Sequence, residues 1–172
     1  MTDPLQAVAG RRGWIISDGK AGHEAQVRGV AEALGLAVEF KRVAPAAPWS
    51  VLSPWGPVAP SERFGGPSSP FRPPWPDFAF AIGRLTIPYI RRLKQMAGLT
   101  SYTVILLDPK VSARTADLLW VPEHDRLRGP NVITTLTAPH TFSARRLGEL
   151  CSPTMAKAMT SKPTLFSSSM PK

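Results

Sequence analysis

The sequence predicts an α/β domain over residues 13–150, a Rossmann-like doubly wound parallel sheet in a single domain with a long Pro/Trp-rich loop and a disordered C-terminal tail. Three observations carry this. Short apolar runs recur without strict alternation, amphipathic segments at helical spacing stand between several of them, and glycine or charged residues stand where each run stops. Apolar runs of this kind suit strands buried on both faces, and such strands belong to parallel sheets flanked by helices. At 172 residues with 43% apolar content, the chain is long enough for one domain with a real core.

The elements follow in order. Residues 1–12 read as a flexible N-terminus. Gly13-Trp14-Ile15-Ile16-Ser17 is a strand, and it ends in the glycine turn Asp18-Gly19-Lys20-Ala21-Gly22-His23. Val27, Val30, Ala31 and Leu34 then mark one face of a helix over 24–34, stopped by Gly35. Residues 37–43 form a second strand, which completes a parallel crossover unit. Residues 77–83 make a third strand ending in glycine. Thr86 is the expected N-cap of the next helix, with Pro88 in its first turn and Ile87, Ile90, Leu93 and Met96/Ala97 as its buried stripe. Tyr102 to Leu107 is almost continuously apolar and is expected near the sheet centre. A helical turn around 112–116 leads to a strand at 117–121, another follows at 131–136, and a helix starts at Ser143–Leu150.

Between the second and third strands, residues 44–77 hold ten of the nineteen prolines, with Trp49, Trp55, Phe64, Phe71 and Trp75 among them. Proline withholds backbone donors from helix and sheet, so an extended loop is expected. Its first reading is a covering loop whose aromatic rings pack on the domain; its second is a lid or a docking surface for a protein partner. From Cys151 to Lys172, Ser, Thr, Lys, Met and Pro dominate and apolar periodicity vanishes, as in a disordered tail.

The formal charge of +9 is local. Residues 84–101 hold Arg84, Arg91, Arg92 and Lys94 without an acid, and the tail adds Lys157, Lys162 and Lys172. The first group reads as the solvated face of one helix. Without aromatic or base-reading side chains interleaved, it does not predict a nucleic-acid partner. A single cysteine excludes an internal disulfide framework and fits a reducing compartment. The N-terminus lacks a secretory pattern, and no apolar run approaches the roughly 18 residues that span a bilayer. A cytoplasmic protein is expected, with peripheral membrane contact left open.

Ligands of open α/β sheets bind beyond the carboxyl ends of the strands. The residues expected there are Asp18, Gly19, Lys20, Gly22 and His23 after the first strand, Gly83 and Arg84 after the third, and Asp108-Pro109-Lys110 after the fourth. The fifth is followed by Glu123, His124, Asp125, Arg126, Arg128 and Asn131. Gly19 and Gly22 let the backbone turn and approach a ligand, while the following helix offers free N–H groups and Lys20 a positive charge. The loop matches neither the Walker pattern nor the full dinucleotide fingerprint, so a plain tight turn explains it equally well. Asp18, His23 and His124 are the candidate proton-transfer groups, because histidine titrates near neutrality. The alternatives are that Asp18 caps the helix and that His124 is held between Glu123 and Asp125. No metal site is expected, since the histidines lack ligand spacing, and no activated serine is marked.

Four blocks together carry a family resemblance: Trp14-Ile15-Ile16-Ser17-Asp18-Gly19-Lys20-Ala21-Gly22-His23-Glu24, Pro74-Trp75-Pro76-Asp77, Ala81-Ile82-Gly83-Arg84, and Val121-Pro122-Glu123-His124-Asp125-Arg126-Leu127-Arg128-Gly129-Pro130-Asn131-Val132. Over residues 13–142 the chain resembles the mitochondrial fission Elm family, which is largely bacterial and also occurs in plants. That family is similar to B-type glycosyltransferases, with two Rossmann-like domains facing across a cleft. The resemblance implies that Gly19 to His23 is an acceptor-side loop, with Asp18 or His23 as base or orienter. It implies that Lys20, Arg84, Arg126 and Arg128 bind anionic groups of a nucleotide sugar or an anionic acceptor, and no further cofactor is implied. The family is normally about twice as long, so this chain is expected to be its N-terminal half, with a truncated or frame-shifted end after residue 150 and no turnover alone. The alternatives are a non-catalytic interaction module, as with the dynamin-like partners of the plant members, and a nucleoside-diphosphate-sugar epimerase. An epimerase fingerprint and a Tyr-x-x-x-Lys pair are not present in the sequence.

Overall fold

The computed structural model describes residues 8–66 and 69–137. Six strands, β1 (Arg12–Ser17), β2 (Ala37–Arg42), β3 (Phe78–Ile82), β4 (Tyr102–Leu106), β5 (Leu118–Pro122) and β6 (Val132–Thr135), form one sheet in the order β2-β1-β3-β4-β5-β6. Every pairing is parallel. The helices are α1 (Ala21–Ala33), a single-turn α2 (Trp49–Leu52) and α3 (Ile87–Ala97). This is the expected Rossmann-like α/β domain, with β4 inside the sheet. The expected helix at 143–150, the tail 151–172 and most of the N-terminal segment lie outside the described residues.

Side-chain alternation divides the core. Ile15, Phe80, Ile82, Val104 and Leu106 pack with Val27 and Ala31 of α1 on one face. Trp14, Ile16, Ala79, Ala81, Ile105 and Leu119 pack with Ile87, Ile90, Leu93 and Ala97 of α3 on the other. Successive strand residues point to opposite faces, so an unbroken apolar run is what a sheet covered on both sides requires.

The connection from β2 to β3 carries no long helix. Val43, Phe64, Phe71 and Trp75 of this connection pack on the α3-face core and do the covering themselves. Phe71 is fully buried, stacked on Phe64 at 4.5 Å between ring centroids and tilted against Tyr89 at 5.4 Å. Trp14 meets Phe71 and Trp75 edge-on, at 6.1 and 6.0 Å. Burying a ring the size of Phe71 contributes about 2–3 kcal/mol, and it is one of several packed rings that anchor a proline-rich segment lacking ladder hydrogen bonds. The covering role is thus observed for Phe64, Phe71 and Trp75. The segment is not structureless, however: α2 and a 3-10 turn at Pro60–Glu62 interrupt it.

The second half of the sheet departs from the expected strand–helix repetition. Between β4 and β5 there is only the 3-10 turn Ala113–Thr115, and between β5 and β6 only a loop. Val111, Ala113 and Leu127 pack against the α3-face core, so these connections stand in for helices there. Apolar loop residues close to the strands achieve this without a crossover helix.

Candidate functional site

The sheet order places the crevice. From β1 the chain crosses to β2 on one side, and from β3 it crosses to β4 on the other. The connections leaving β1 and β3 therefore part to opposite faces, and the gap between them is the switch point where open α/β sheets bind ligands. Register keeps the strand ends level: Ser17 stands opposite Arg42 and Ile82, and Ile82 opposite Leu106. Asp18 and Gly83 are each one residue beyond that line.

The Asp18 residue is half-buried with its side chain 2% exposed, and its Oδ1 lies 3.0 Å from His23 Nδ1. Helical geometry explains the meeting. His23 stands in the first turn of α1, and its ring reaches back over the loop that carries Asp18. With the carboxylate ionised, Nδ1–H donates to it, which leaves Nε2 of the neutral ring as the proton acceptor. Lys20 Nζ lies 3.4 Å from Asp18 Oδ2. Burial pushes the Asp18 carboxyl up, but its bond to His23, the His23 charge and the Lys20 amide and ammonium together hold it below the ordinary carboxylate value.

Gly83 closes the other side. Its φ of +93° favours glycine, and a Cβ built there would stand 2.8 Å from Asp18 Oδ2 and 3.0 Å from His23 Nδ1. The absent side chain is the space the dyad occupies. Thr86 stands at the start of α3 as expected, yet its hydroxyl does not cap the helix; it donates back to the Gly83 carbonyl at 2.8 Å. That bond fixes the Gly83 peptide beside the dyad.

The glycine loop divides into two roles. Gly19 has a φ of +81°, and its N–H donates to Ser17 Oγ at 2.9 Å. Gly22 makes no turn; it sits exposed in the first turn of α1, where a Cβ would meet nothing within 4 Å. No side chain caps α1, and the N–H groups of Ala21, Gly22 and His23 have no intrahelical acceptor. Such an end attracts an anion.

A further ion pair, joining α1 to β2, was not singled out from sequence. Glu24, buried, accepts Ser17 Oγ at 3.0 Å and a bidentate grip from Arg42 at 2.8 and 2.9 Å. The Arg42 guanidinium, with Ser17, holds the Glu24 carboxyl below its usual range. The signal was present, since a first-turn acid on α1 and a base ending β2 must meet once β1 and β2 pair in register.

The remaining candidates are not gathered at the switch point. Asp108 accepts the Lys110 N–H at 2.8 Å and its ammonium at 2.6 Å, and Lys110 also lies 3.9 Å from Asp125. Leu107 and Lys110 both take positive φ, 69° and 56°, to make this turn. His124 and Arg126 are exposed and make no hydrogen bond among the described residues, and Glu123 is exposed. His124 is therefore not held between its acidic neighbours. Three strand spacings, about 14 Å, separate the ends of β1 and β5, so His124 does not join the dyad. Arg128 braces its own loop, donating to the carbonyls of Leu127 at 2.8 Å and Glu123 at 2.9 Å. Asn131 lies at the opposite end of the sheet, where its amide donates to the carbonyls of Ala113 and Ala116 before β5.

Arg84 leaves the crevice as well, donating to the Ser53 carbonyl at 2.7 Å. Arg91 donates to the carbonyls of Trp55, at 3.0 Å, and Gly56, and Lys94 pairs with Asp117 at 2.8 Å. The basic residues of 84–97 are thus not merely a solvated face; three of the four tie α3 and its lead-in to neighbouring loops. Among the described residues, no group of three or more His, Cys, Asp or Glu side chains is placed to hold a metal ion. No described helix is long and apolar enough to cross a membrane.

Residues 21–165 match the family model described as Mitochondrial fission ELM1, a match that reaches past Cys151. No curated protein and no solved structure matches the chain. The matched span takes in most of the sequence, including α1 with His23, the covering loop, and the turns after β3, β4 and β5. The chain belongs to the mitochondrial fission ELM1 family.

Proposed function

We propose that this chain is the acceptor-side domain of a glycosyltransferase-like protein that uses a nucleotide sugar. The observation that carries the reading is the Asp18–His23 pair at the β1/β3 switch point, beside an uncapped helix end. In the reaction, an acceptor hydroxyl oxygen attacks the anomeric carbon of the sugar. The new C–O bond forms as the bond from that carbon to the diphosphate oxygen breaks, and the diphosphate leaves with the bonding pair. His23 Nε2 takes the hydroxyl proton, while Asp18 holds Nδ1–H and stabilises the imidazolium. Lys20 and the open N–H groups of α1 favour an anionic group beside the dyad.

Isothermal titration of UDP-sugars into this chain and into a two-domain family member, with UDP release by the latter as the activity readout, tests this. Binding and turnover are expected of the two-domain protein, and replacing its counterpart of His23 by Ala is expected to lower UDP release by about 10²- to 10⁴-fold. A two-domain member that binds no UDP-sugar at millimolar concentration and releases no UDP with any acceptor would end the reading.

A further inference from the structure

Three exposed apolar side chains stand together on the covering loop. Val51 is 71% exposed, Trp55 69% and Leu52 47%, all within five residues. They are not loose ends. Ser53 N–H and Oγ both bond the Trp49 carbonyl, closing α2. Arg84 grips the Ser53 carbonyl and Arg91 those of Trp55 and Gly56. Two guanidinium groups thus hold a projection whose tips are apolar, although burying those tips in the protein would lower the free energy.

The two segments that build the projection carry charge of one sign in their sequence. Residues 44–61 contain no charged residue, and 84–101 contain four cations without an acid. Trp55, Pro57, Val58, Arg63, Arg91 and Arg92 line one open groove of about 650 Å³. The acid closest in sequence, Glu62, is turned inward, where it accepts the Tyr89 hydroxyl and the Ala44 N–H. Burial, and then Glu62, push the Tyr89 phenol up.

We propose that this surface binds the face of an anionic lipid bilayer. Val51, Leu52 and Trp55 enter the interface, and Arg63 and Arg92 meet lipid phosphates. Tryptophan favours the headgroup boundary because its ring is apolar and its N–H polar. An apolar tip backed by arginines gains both from burial and from the negative surface potential. Charge complementarity selects the lipid surface over a protein partner, whose rim would present acids to specific arginines. The inference is independent of the glycosyltransferase reading, since it uses neither Asp18 nor His23.

Vesicle co-sedimentation of the full chain tests it, with phosphatidylcholine alone and with a third of the lipid replaced by phosphatidylglycerol. Binding is expected to the anionic vesicles only. The triple variant Val51→Ser, Leu52→Ser, Trp55→Ser is expected to bind at least about tenfold more weakly, and Arg92→Gln about fivefold more weakly. High salt weakens the wild type. Brominated lipid is expected to quench wild-type tryptophan emission more than that of Trp55→Phe, a variant that keeps the fold because the side chain is exposed. Failure of the wild type to bind anionic vesicles, or equal binding by the triple variant, would overturn the proposal. Self-association through the same residues without vesicle binding would overturn it in favour of a protein interface.

Discussion

Asp18 and Asp108 stand just past the ends of two strands, one spacing to either side of β3, yet their surroundings differ in chemistry. The Asp18 side chain is buried with a histidine on one oxygen, and that ring, its side chain 24% exposed, keeps a second nitrogen for other work. Asp108 is held by the amide and ammonium of Lys110, with Asp125 close behind, in an arrangement that is complete in itself. The difference arises in the connections. After β1 the chain rises into a helix whose first turn carries His23. After β4 it doubles back through left-handed Leu107 and Lys110 without forming an α-helix. A parallel sheet supplies equivalent strand ends, and the connection leaving each strand decides whether its carboxylate remains available for chemistry.

The comparison breaks most sharply at Gly83. Gly83→Ala forces a Cβ against both members of the dyad at a φ that disfavours it, and it is expected to cost about 2–4 kcal/mol in urea unfolding. Wild-type stability in that variant would mean the dyad is not confined as described. Asp18→Asn is the next in size, at about 1 kcal/mol at neutral pH, because a buried charge-assisted bond becomes a neutral one. Its pH dependence is more telling. The Asp18 carboxyl lies below its ordinary 3.8 in the folded chain. Its stabilisation is therefore complete above that value and drains away as pH falls through the lower native one. The gap between wild type and Asp18→Asn in unfolding midpoint is expected to hold steady down to about pH 5 and to close below about pH 4. A gap that persisted undiminished at pH 3 would reverse the assignment. Lys110→Ala is expected to have the smallest effect, a midpoint within scatter of wild type at physiological salt, because the lysine side chain is 69% exposed. A large loss there would make the second cluster as integral to the fold as the first.

Much of the site was legible because it is local. The Asp18–His23 loop, Gly83 and the Asp108 turn all sit where apolar runs stop, and a strand's end marks itself in sequence. The contacts that give those residues their roles were not legible. The Thr86 hydroxyl turning to Gly83, Arg84 and Arg91 holding the 53–56 carbonyls, and Asn131 tying 113 to 116 each join segments distant in sequence or compete with a local cap. Residue type alone reads an arginine near a strand end as an anion ligand. Whether a backbone carbonyl already occupies it depends on how a proline-rich loop returns across the sheet.

The sequence by itself determined the parallel α/β class, the strand positions and the residues beyond their ends. Apolar period and glycine placement are consequences of burial and backbone sterics that act over a few residues. Only the tertiary structure decided that the switch point falls between β1 and β3, that Asp18 meets His23 while His124 stays apart, and that aromatic rings from 43–77 replace a helix. Those outcomes depend on strand order and on which distant side chains fill the same volume, and no window of the sequence contains both partners.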